Sequence, residues 1–289
     1  MERIALHVRH PRRAVQRAIL RSHSARSVTL RRALRPARDA IVRWQARRAW
    51  HAGVASELDY WQDWIRTRGE PWPQDFERRL DPDARVMEDR LVDLLTRVPT
   101  ERVRILDVGA GPLTVLGKVL PGKRLEIHPI DALADDYDRL LGEAGIVPSV
   151  RTVRCTAEDV ARRYAPETFD IAHARNCLDH AFDPLRAIEG MFAVVCNGGF
   201  VVLSHERNVG DATGYDGLHQ WNFDVANDDL VVWRGEFVHR IGQRLGSAAE
   251  LEVQPWKGDD GRHNIDCVIH KVGTGPRRGL GAGLRRESR

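Results

Sequence analysis

Apolar positions recur at helical spacing through the first third of the chain. Trp44, Trp50, Leu58, Trp61, Trp64 and Ile65 fall on one face of a helix predicted over 37–68, and Gly69-Glu70-Pro71-Trp72-Pro73 breaks that pattern as a loop. Val86, Met87, Leu91, Leu94, Leu95 and Val98 predict a second helix over 82–98, which Pro99 stops. After Thr100 the period changes. Short β-branched runs at 103–108, 124–130, 150–154, 169–174, 199–204, 251–253 and 265–272 alternate with helical stretches at 113–120, 132–144, 157–164 and 184–195. Seven strands interleaved with helices predict an α/β fold, a mostly parallel sheet with helices on both faces. A loop over 254–264 between the last two strands predicts a terminal hairpin with a reversed edge strand. Residues 208–235 interrupt the rhythm with Tyr215, His219, Trp221, Phe223 and Trp233 among glycines and aspartates, and a hairpin turning at Asn227-Asp228-Asp229 is expected there.

These patterns divide the chain into a basic arm at 1–50, a helical cap at 51–99, a main domain at 100–273 with its aromatic insert at 208–235, and a basic disordered tail at 274–289. Charge sharpens the division. Residues 1–50 hold fourteen arginines against Glu2 and Asp39, and the tail adds five arginines against Glu287, so a net charge of +4 conceals an acidic body. A nucleic-acid enzyme concentrates positive field around its cleft, and this distribution argues against such a partner. Within the arm, Val15, Ala18 and Ile19 share a helical face, so it reads either as a disordered segment or as a helix lying on anionic lipid. Its arginine richness also suits a targeting segment, but the whole chain has 41 arginines and only four lysines, which weakens that reading. The longest apolar runs, such as Phe200–Leu203, are far short of the roughly 18 residues of a membrane span. Cys155, Cys177, Cys196 and Cys267 show no metal-type spacing and read as reduced thiols, which fits a cytoplasmic location, membrane-peripheral if the arm binds lipid.

The strongest chemical signal is Ile105-Leu106-Asp107-Val108-Gly109-Ala110-Gly111-Pro112-Leu113-Thr114: a strand, a glycine turn, and the expected start of a helix. Glycines there let a ligand approach the backbone. Asp107 puts a carboxylate at the strand end, and Thr114 stands where a dinucleotide fingerprint has its third glycine. A pyrophosphate favours neither, whereas a cationic ligand without phosphates tolerates both. Asp131, at the end of the next strand, can accept from two ribose hydroxyls or cap a helix. Thr156 and Asp159 have the spacing of a capping box.

The order Asp107-Val-Gly-Ala-Gly, Asp131, Thr156-Ala157-Glu158-Asp159, Phe169-Asp170-Ile171 and Asn197-Gly198-Gly199 resembles the class I S-adenosylmethionine (SAM) dependent methyltransferases over about 100–272. The resemblance implies a Rossmann-like seven-stranded sheet and SAM as cofactor, and the N-terminal helical extension read from the apolar spacing lies outside it. It implies Asp107, Gly109 and Gly111 at the methionyl end, Asp131 on the ribose, and Thr156, Ala157 and Glu158 around the adenine. Many relatives have an aspartate where Thr156 stands, which leaves Glu158 or a backbone carbonyl to receive the adenine amino group. Asn176, followed by Leu178-Asp179-His180, corresponds to the segment passing beside the methyl group. Asp183-Pro184 reads as the N-cap and first turn of the next helix.

A hydroxyl acceptor needs its proton removed, and His180, His219 and His205 are the candidate bases. His180 and His219 rank level, with His205 and Glu206 behind. Asp179, His180, His205 and Glu206 show no tight ligand spacing, so no metal is expected. The segments Glu57-Leu58-Asp59-Tyr60-Trp61 and Gly217–Phe223 look similar, more loosely, to bacterial methyltransferases acting on surface glycans. The expected acceptor is therefore a sugar, a glycan (lipid-linked if the arm meets a membrane) or another polar small molecule. A non-catalytic SAM-binding protein and a nicotinamide-dependent oxidoreductase remain as rival readings. The place after the fourth strand reads Asn176-Cys177-Leu178-Asp179 rather than Asn/Asp-Pro-Pro-Tyr/Phe, which argues against methylation of nucleic-acid bases.

Overall fold

The computed structural model describes residues 28–273. The arm before residue 28, with its expected helix around Val15–Ile19, and the expected tail at 274–289 lie outside the described residues. The elements are α1 (Val28–Arg66), α2 (Pro73–Leu80), α3 (Asp89–Arg97), β1 (Arg102–Val108), β2 (Arg124–Asp131), α4 (Ala134–Glu143), β3 (Val153–Arg154), α5 (Val160–Arg163), β4 (Phe169–Arg175), α6 (Pro184–Val194), β5 (Val195–Glu206), α7 (Val209–Ala212), β6 (Asn222–Ala226), β7 (Asp229–Arg234), β8 (Phe237–Arg240), α8 (Ile241–Leu245), β9 (Ala249–Lys257) and β10 (His263–Lys271).

The main sheet has seven strands in the order β3-β2-β1-β4-β5-β10-β9. The pairings of β1 with β2 and β4, β2 with β3, and β4 with β5 are parallel, while β10 runs antiparallel to both β5 and β9. The expected reversal is present but displaced: the reversed strand is β10, one in from the edge. Strands buried on both faces explain the near-continuous apolar runs. Leu106, Val108, Ala172, Ala174, Val201 and Leu203 pack on one side with Leu185, Ile188 and Met191 of α6. Val103, Ile105, Ile171 and Phe200 pack on the other with Leu91, Leu94 and Leu95 of α3. The result is the Rossmann-like α/β fold with helices on both faces that the sequence implies.

Two predicted helices differ. The one over 82–98 is reduced to α3, and the one over 113–120 does not form. Both losses have one cause. Residues 84–86 and 117–119 run side by side: Lys118 and Val119 N–H groups donate to the Ala84 carbonyl at 2.7 and 3.1 Å, and Val86 N–H donates to the Val119 carbonyl at 3.1 Å. Thr114 also turns its hydroxyl inward to Asp107 and accepts from the Leu116 N–H, so local side-chain bonds replace a helical turn. Close pairing requires Gly117, where an added Cβ would lie 2.3 Å from the Arg85 backbone.

Helix α1 is longer than predicted and runs unbroken past residue 50, with Pro36 inside it. At roughly 1.5 Å per residue it straps across the carboxyl edge of the sheet. At one end, Asp39 Oδ2 meets His239 Nε2 at 2.9 Å; at the other, the Trp61 ring packs edge-on to Tyr137 of α4. The insert forms the expected hairpin, β6–β7, whose turn residues Asn227 and Asp228 both have positive φ, and β8 adds a third strand.

Candidate active site

A cleft of about 690 Å³ opens over the carboxyl ends of β1, β2 and β4, beneath α1 and beside the insert. That is the place where an open α/β sheet binds ligands. Ten of the eleven residues singled out from the sequence line it: Asp107, Gly109, Gly111, Asp131, Thr156, Ala157, Glu158, Asn176, His180 and His219.

The floor is the turn after β1. Gly109 has φ +67°, and a Cβ on it would lie 2.3 Å from the Cys177 Cβ. Gly111 has φ +65° and packs under the Trp61 ring. Gly109 and Ala110 N–H groups both donate to the Ile130 carbonyl, at 2.8 and 3.1 Å, locking the turn to β2. Asp107 is buried and held from two sides. Its Oδ2 accepts from the Thr114 hydroxyl at 2.6 Å, and Oδ1 pairs with His173 Nδ1 at 2.8 Å. Thr114, at the position a third glycine would take, is thus the clamp of the strand-end carboxylate.

Asp131 accepts from the Gly111 N–H at 3.1 Å through Oδ2 and from the Leu133 N–H at 2.9 Å through Oδ1. The cleft walls desolvate it and push its pKa up to about 6, with the two backbone bonds opposing. The same carboxylate therefore orients the glycine turn and faces the cleft. Thr156 does not close the capping box with its side chain: its Oγ1 is buried without a partner. Glu158 instead accepts from the Asp183 N–H at 3.0 Å, tying the 157–159 turn to the loop before α6. Asp183 caps α6 as read, accepting from the Arg186 N–H at 3.2 Å. Asn176, at φ +47°, closes the end of β4 by accepting from the Glu206 N–H at 2.9 Å.

The other end of the cleft is built from remote segments. His219 Nδ1 lies 2.7 Å from Asp179 Oδ2 and 3.1 Å from His180 Nε2. Asp179 is buried. Burial alone would raise its pKa, but the facing histidines hold it down at about 2. The hydrogen bond to Asp179 raises the pKa of His219. From α1, Glu57 places Oε2 4.0 Å from His180 Nδ1 while its Oε1 accepts from the Trp61 indole at 2.8 Å.

His205 is the residue that the structure removes from the candidate bases. It is buried beneath the cleft, stacked on Phe223 at 4.4 Å between centroids, and both ring nitrogens lack partners. Burial pushes its pKa down to about 4. The insert aromatics are likewise not cleft walls. Trp221, Phe223 and Trp233 fill the core, with the indoles donating to the Ala181 carbonyl and to Asn208 Oδ1. The insert lends the cleft Thr213, Leu218 and His219, and the aromatic wall comes from Trp50, Tyr60 and Trp61 of α1. Sequence reasoning did not assign a role to Glu57, or to Arg79, Arg175 and Arg262, which line the same space. Only Glu57 had a signal, since it shares a helical face with Trp50, Trp61 and Trp64.

Residues 106–203 match the protein-family model of a methyltransferase domain. No curated protein matches the sequence. Among solved structures, the chain is similar to the CurJ carbon methyltransferase (14% identity, TM-score 0.44, 64% of this chain and 53% of that one). It is similar to an S-adenosylmethionine-dependent methyltransferase from Clostridium acetobutylicum (12% identity, TM-score 0.39, 65% of this chain and 93% of that one). A third is phosphoethanolamine N-methyltransferase 2 of Haemonchus contortus in complex with S-adenosyl-L-methionine (15% identity, TM-score 0.42, 73% of this chain and 59% of that one). The chain thus spans about half the length of the CurJ chain and of the Haemonchus enzyme. The segment matched by the family model, residues 106–203, contains the glycine turn, Asp131, the Thr156–Glu158 wall and the Asp179–His180 loop, so these cleft residues fall within the match to a methyltransferase domain.

Proposed function

We propose that the chain methylates a hydroxyl of a polar small molecule, with a sugar or glycan as the leading acceptor class. The observation that carries this reading is the continuity of the cleft. Cofactor residues at one end and the Asp179–His180–His219 cluster at the other share a single cavity. SAM would lie with its methionyl end on Asp107, Gly109 and Gly111, its ribose on Asp131, and its adenine against Thr156, Ala157 and Glu158. The unpartnered Thr156 hydroxyl supports this placement, because a buried polar group wants a partner that a ligand could supply. Asn176 stands where the methyl group would pass.

In this reading the acceptor hydroxyl gives its proton to the His180–His219 pair, which Asp179 orients. The freed oxygen bonds the methyl carbon, the carbon–sulfur bond breaks, and its electron pair stays on sulfur as S-adenosylhomocysteine. Positioning and exclusion of water supply most of the rate. Tyr60 and Trp50 offer ring faces beside Glu57 and Arg79, a mixture suited to a ring that carries hydroxyls. No described helix is long and apolar enough to cross a membrane. The basic arm, continued by exposed Leu34, Ile41 and Trp44 on α1, supports peripheral contact with an anionic membrane on the cytoplasmic side, where a lipid-linked acceptor would be met.

Calorimetric titration of SAM and S-adenosylhomocysteine into the wild type and Asp131→Ala tests the cofactor half. Micromolar binding, weakened at least tenfold by the substitution, is expected, followed by a methyl-transfer screen on sugars. Folded wild type that binds neither ligand would overturn the reading.

A further inference from the structure

One carboxylate oxygen and two imidazole nitrogens, from Asp179, His180 and His219, converge on one point of the cleft. His219 Nδ1 carries either one N–H or one lone pair. It faces Asp179 Oδ2 at 2.7 Å and His180 Nε2 at 3.1 Å, while His180 Nε2 is also 3.4 Å from the same Oδ2. If Nδ1 donates, its single N–H is shared between the carboxylate and the His180 Nε2 lone pair. If it accepts from His180, the Asp179 contact becomes lone pair against lone pair. Protonating both rings sets two cations 3.1 Å apart over one carboxylate.

We infer that Asp179, His180 and His219 together hold one divalent transition-metal ion at the acceptor end of the cleft. The three ligand atoms lie within 4.8 Å of one another. Their separations approach those of atoms sharing an ion at roughly 2.0–2.2 Å, which places neighbouring ligands about 3 Å apart. A cation would take one lone pair from each of the three atoms in place of that one shared hydrogen. Two imidazoles and a carboxylate suit zinc, manganese, iron or cobalt better than calcium or magnesium, which prefer oxygen.

The surroundings fit as well. Glu57 faces the outer nitrogen of His180 at 4.0 Å, the place where a second carboxylate steadies a ligating histidine. Glu57 is fixed in turn by the Trp61 indole. The Asp179 carbonyl accepts from the Gln220 N–H at 2.9 Å, so the loop after β4 and the insert present their ligands as one unit. One side stays open, because His180 and His219 also line a smaller cavity reached past Thr213 and Gly217. Spacing in the sequence does not reveal this set, since His219 lies 39 residues beyond His180. Folding of the insert joins them.

The inference rests on the methyl-transfer reading only in giving the open coordination position to the acceptor hydroxyl. An ion held there by Asp179, His180 and His219 would supply a lowered pKa for the acceptor hydroxyl, with Glu57 in the same cleft available to take its proton. The histidines then act through the ion rather than as free bases.

Untagged protein, stripped with a chelator, is titrated with Mn²⁺, Zn²⁺ and Co²⁺ by calorimetry, and the Co²⁺ form is examined by visible absorption. One ion per chain is expected, with micromolar or tighter affinity and ligand-field bands from nitrogen and oxygen donors. Asp179→Asn and His219→Gln should each weaken binding at least a hundredfold, with thermal unfolding confirming that the variants are folded. Absence of binding to the stripped wild type, or unchanged binding in both variants, overturns the inference. SAM titrated into the same samples separates the two failures: SAM binding without metal binding leaves the free-histidine reading standing. Metal binding without SAM binding removes the methyl-transfer reading and keeps the ion site.

Discussion

The two ends of the cleft are built by opposite strategies. The cofactor end comes from neighbours in sequence and sheet: the turn after β1 bonds to β2 through Ile130, and Asp131 reaches back to Gly111. The acceptor end joins Glu57 of α1, Asp179 and His180 of the loop after β4, and His219 of the insert, segments far apart in the chain. A turn fixed by backbone bonds tolerates little change. An end assembled from side chains of three separate segments can change its substrate while the first end keeps its cofactor. Substitutions should therefore separate cleanly: those at one end move SAM affinity, and those at the other move acceptor kinetics alone.

The largest effect belongs to Gly109. Gly109→Ala must hold an L side chain at φ +67° and drive a Cβ to 2.3 Å from that of Cys177. Left-handed strain and overpacking together cost about 2–5 kcal/mol. Urea unfolding should show that loss, and SAM binding should be undetectable. A folded variant with near-normal SAM affinity would mean that the turn is softer than its bonds indicate.

This division also explains what the sequence made legible. The places of Asp107, Gly109, Gly111 and Asp131 in the cleft were readable because they depend on strand ends and turns, which period and glycine placement reveal. The alternation of Leu106 and Val108 against Val103 and Ile105 is likewise written in the strand itself. The failures are all non-local. The helix expected over 113–120 gave way to pairing with residues 84–86, a contact invisible to a local pattern. His205, ranked behind His180 and His219, stayed a candidate until packing against Phe223 placed it below the cleft. Trp221, Phe223 and Trp233 of the insert are core, because a three-stranded sheet must bury one face somewhere, and a local pattern does not say against what.

Next in size is Asp131→Asn. Loss of a charged acceptor for the ribose should weaken SAM binding by roughly 10- to 100-fold, the range of a charge-assisted hydrogen bond at about 1.5–3 kcal/mol. Stability should change little, since the amide keeps only one of the two backbone bonds from Gly111 and Leu133 but removes a carboxyl raised to about 6, whose ionisation opposes folding above that pH. The same shift gives a pH test. SAM affinity in the wild type should fall as pH drops through about 6 and the carboxyl takes up its proton, and Asp131→Asn should flatten that dependence. Calorimetry between pH 5 and 8 reads both.

A smaller and more selective effect is expected at the other end. Tyr60 is 57% exposed and lines the cleft from α1, so its loss removes little core. Tyr60→Ala should leave SAM affinity within twofold and raise the acceptor KM about 5- to 20-fold, as for roughly 1–2 kcal/mol of lost ring contact. Equal changes in both quantities would erase the proposed independence of the two ends.

The smallest effect sharpens the comparison most, because it acts from outside the cleft. Helix α1 carries Glu57 and Tyr60, and its far end is held by the buried pair Asp39 Oδ2 and His239 Nε2 at 2.9 Å. Desolvation, with Arg35 beside it, lowers the His239 pKa to about 4 despite Asp39. The unfolded chain thus binds a proton that the folded chain refuses between about 6.5 and about 4. Stability is complete above that window and is lost as pH falls through it. Asp39→Asn keeps the shape but weakens the bond, at about 1 kcal/mol. Thermal unfolding should register that loss, SAM affinity should not move, and the acceptor KM should rise two- to threefold as α1 loosens over Glu57 and Tyr60. An unchanged acceptor KM would mean that α1 keeps its alignment over the cleft through other contacts, such as Arg43 with Asp183, Trp50 with Phe182 and Trp61 with Tyr137, the Asp39 pair contributing stability but no alignment.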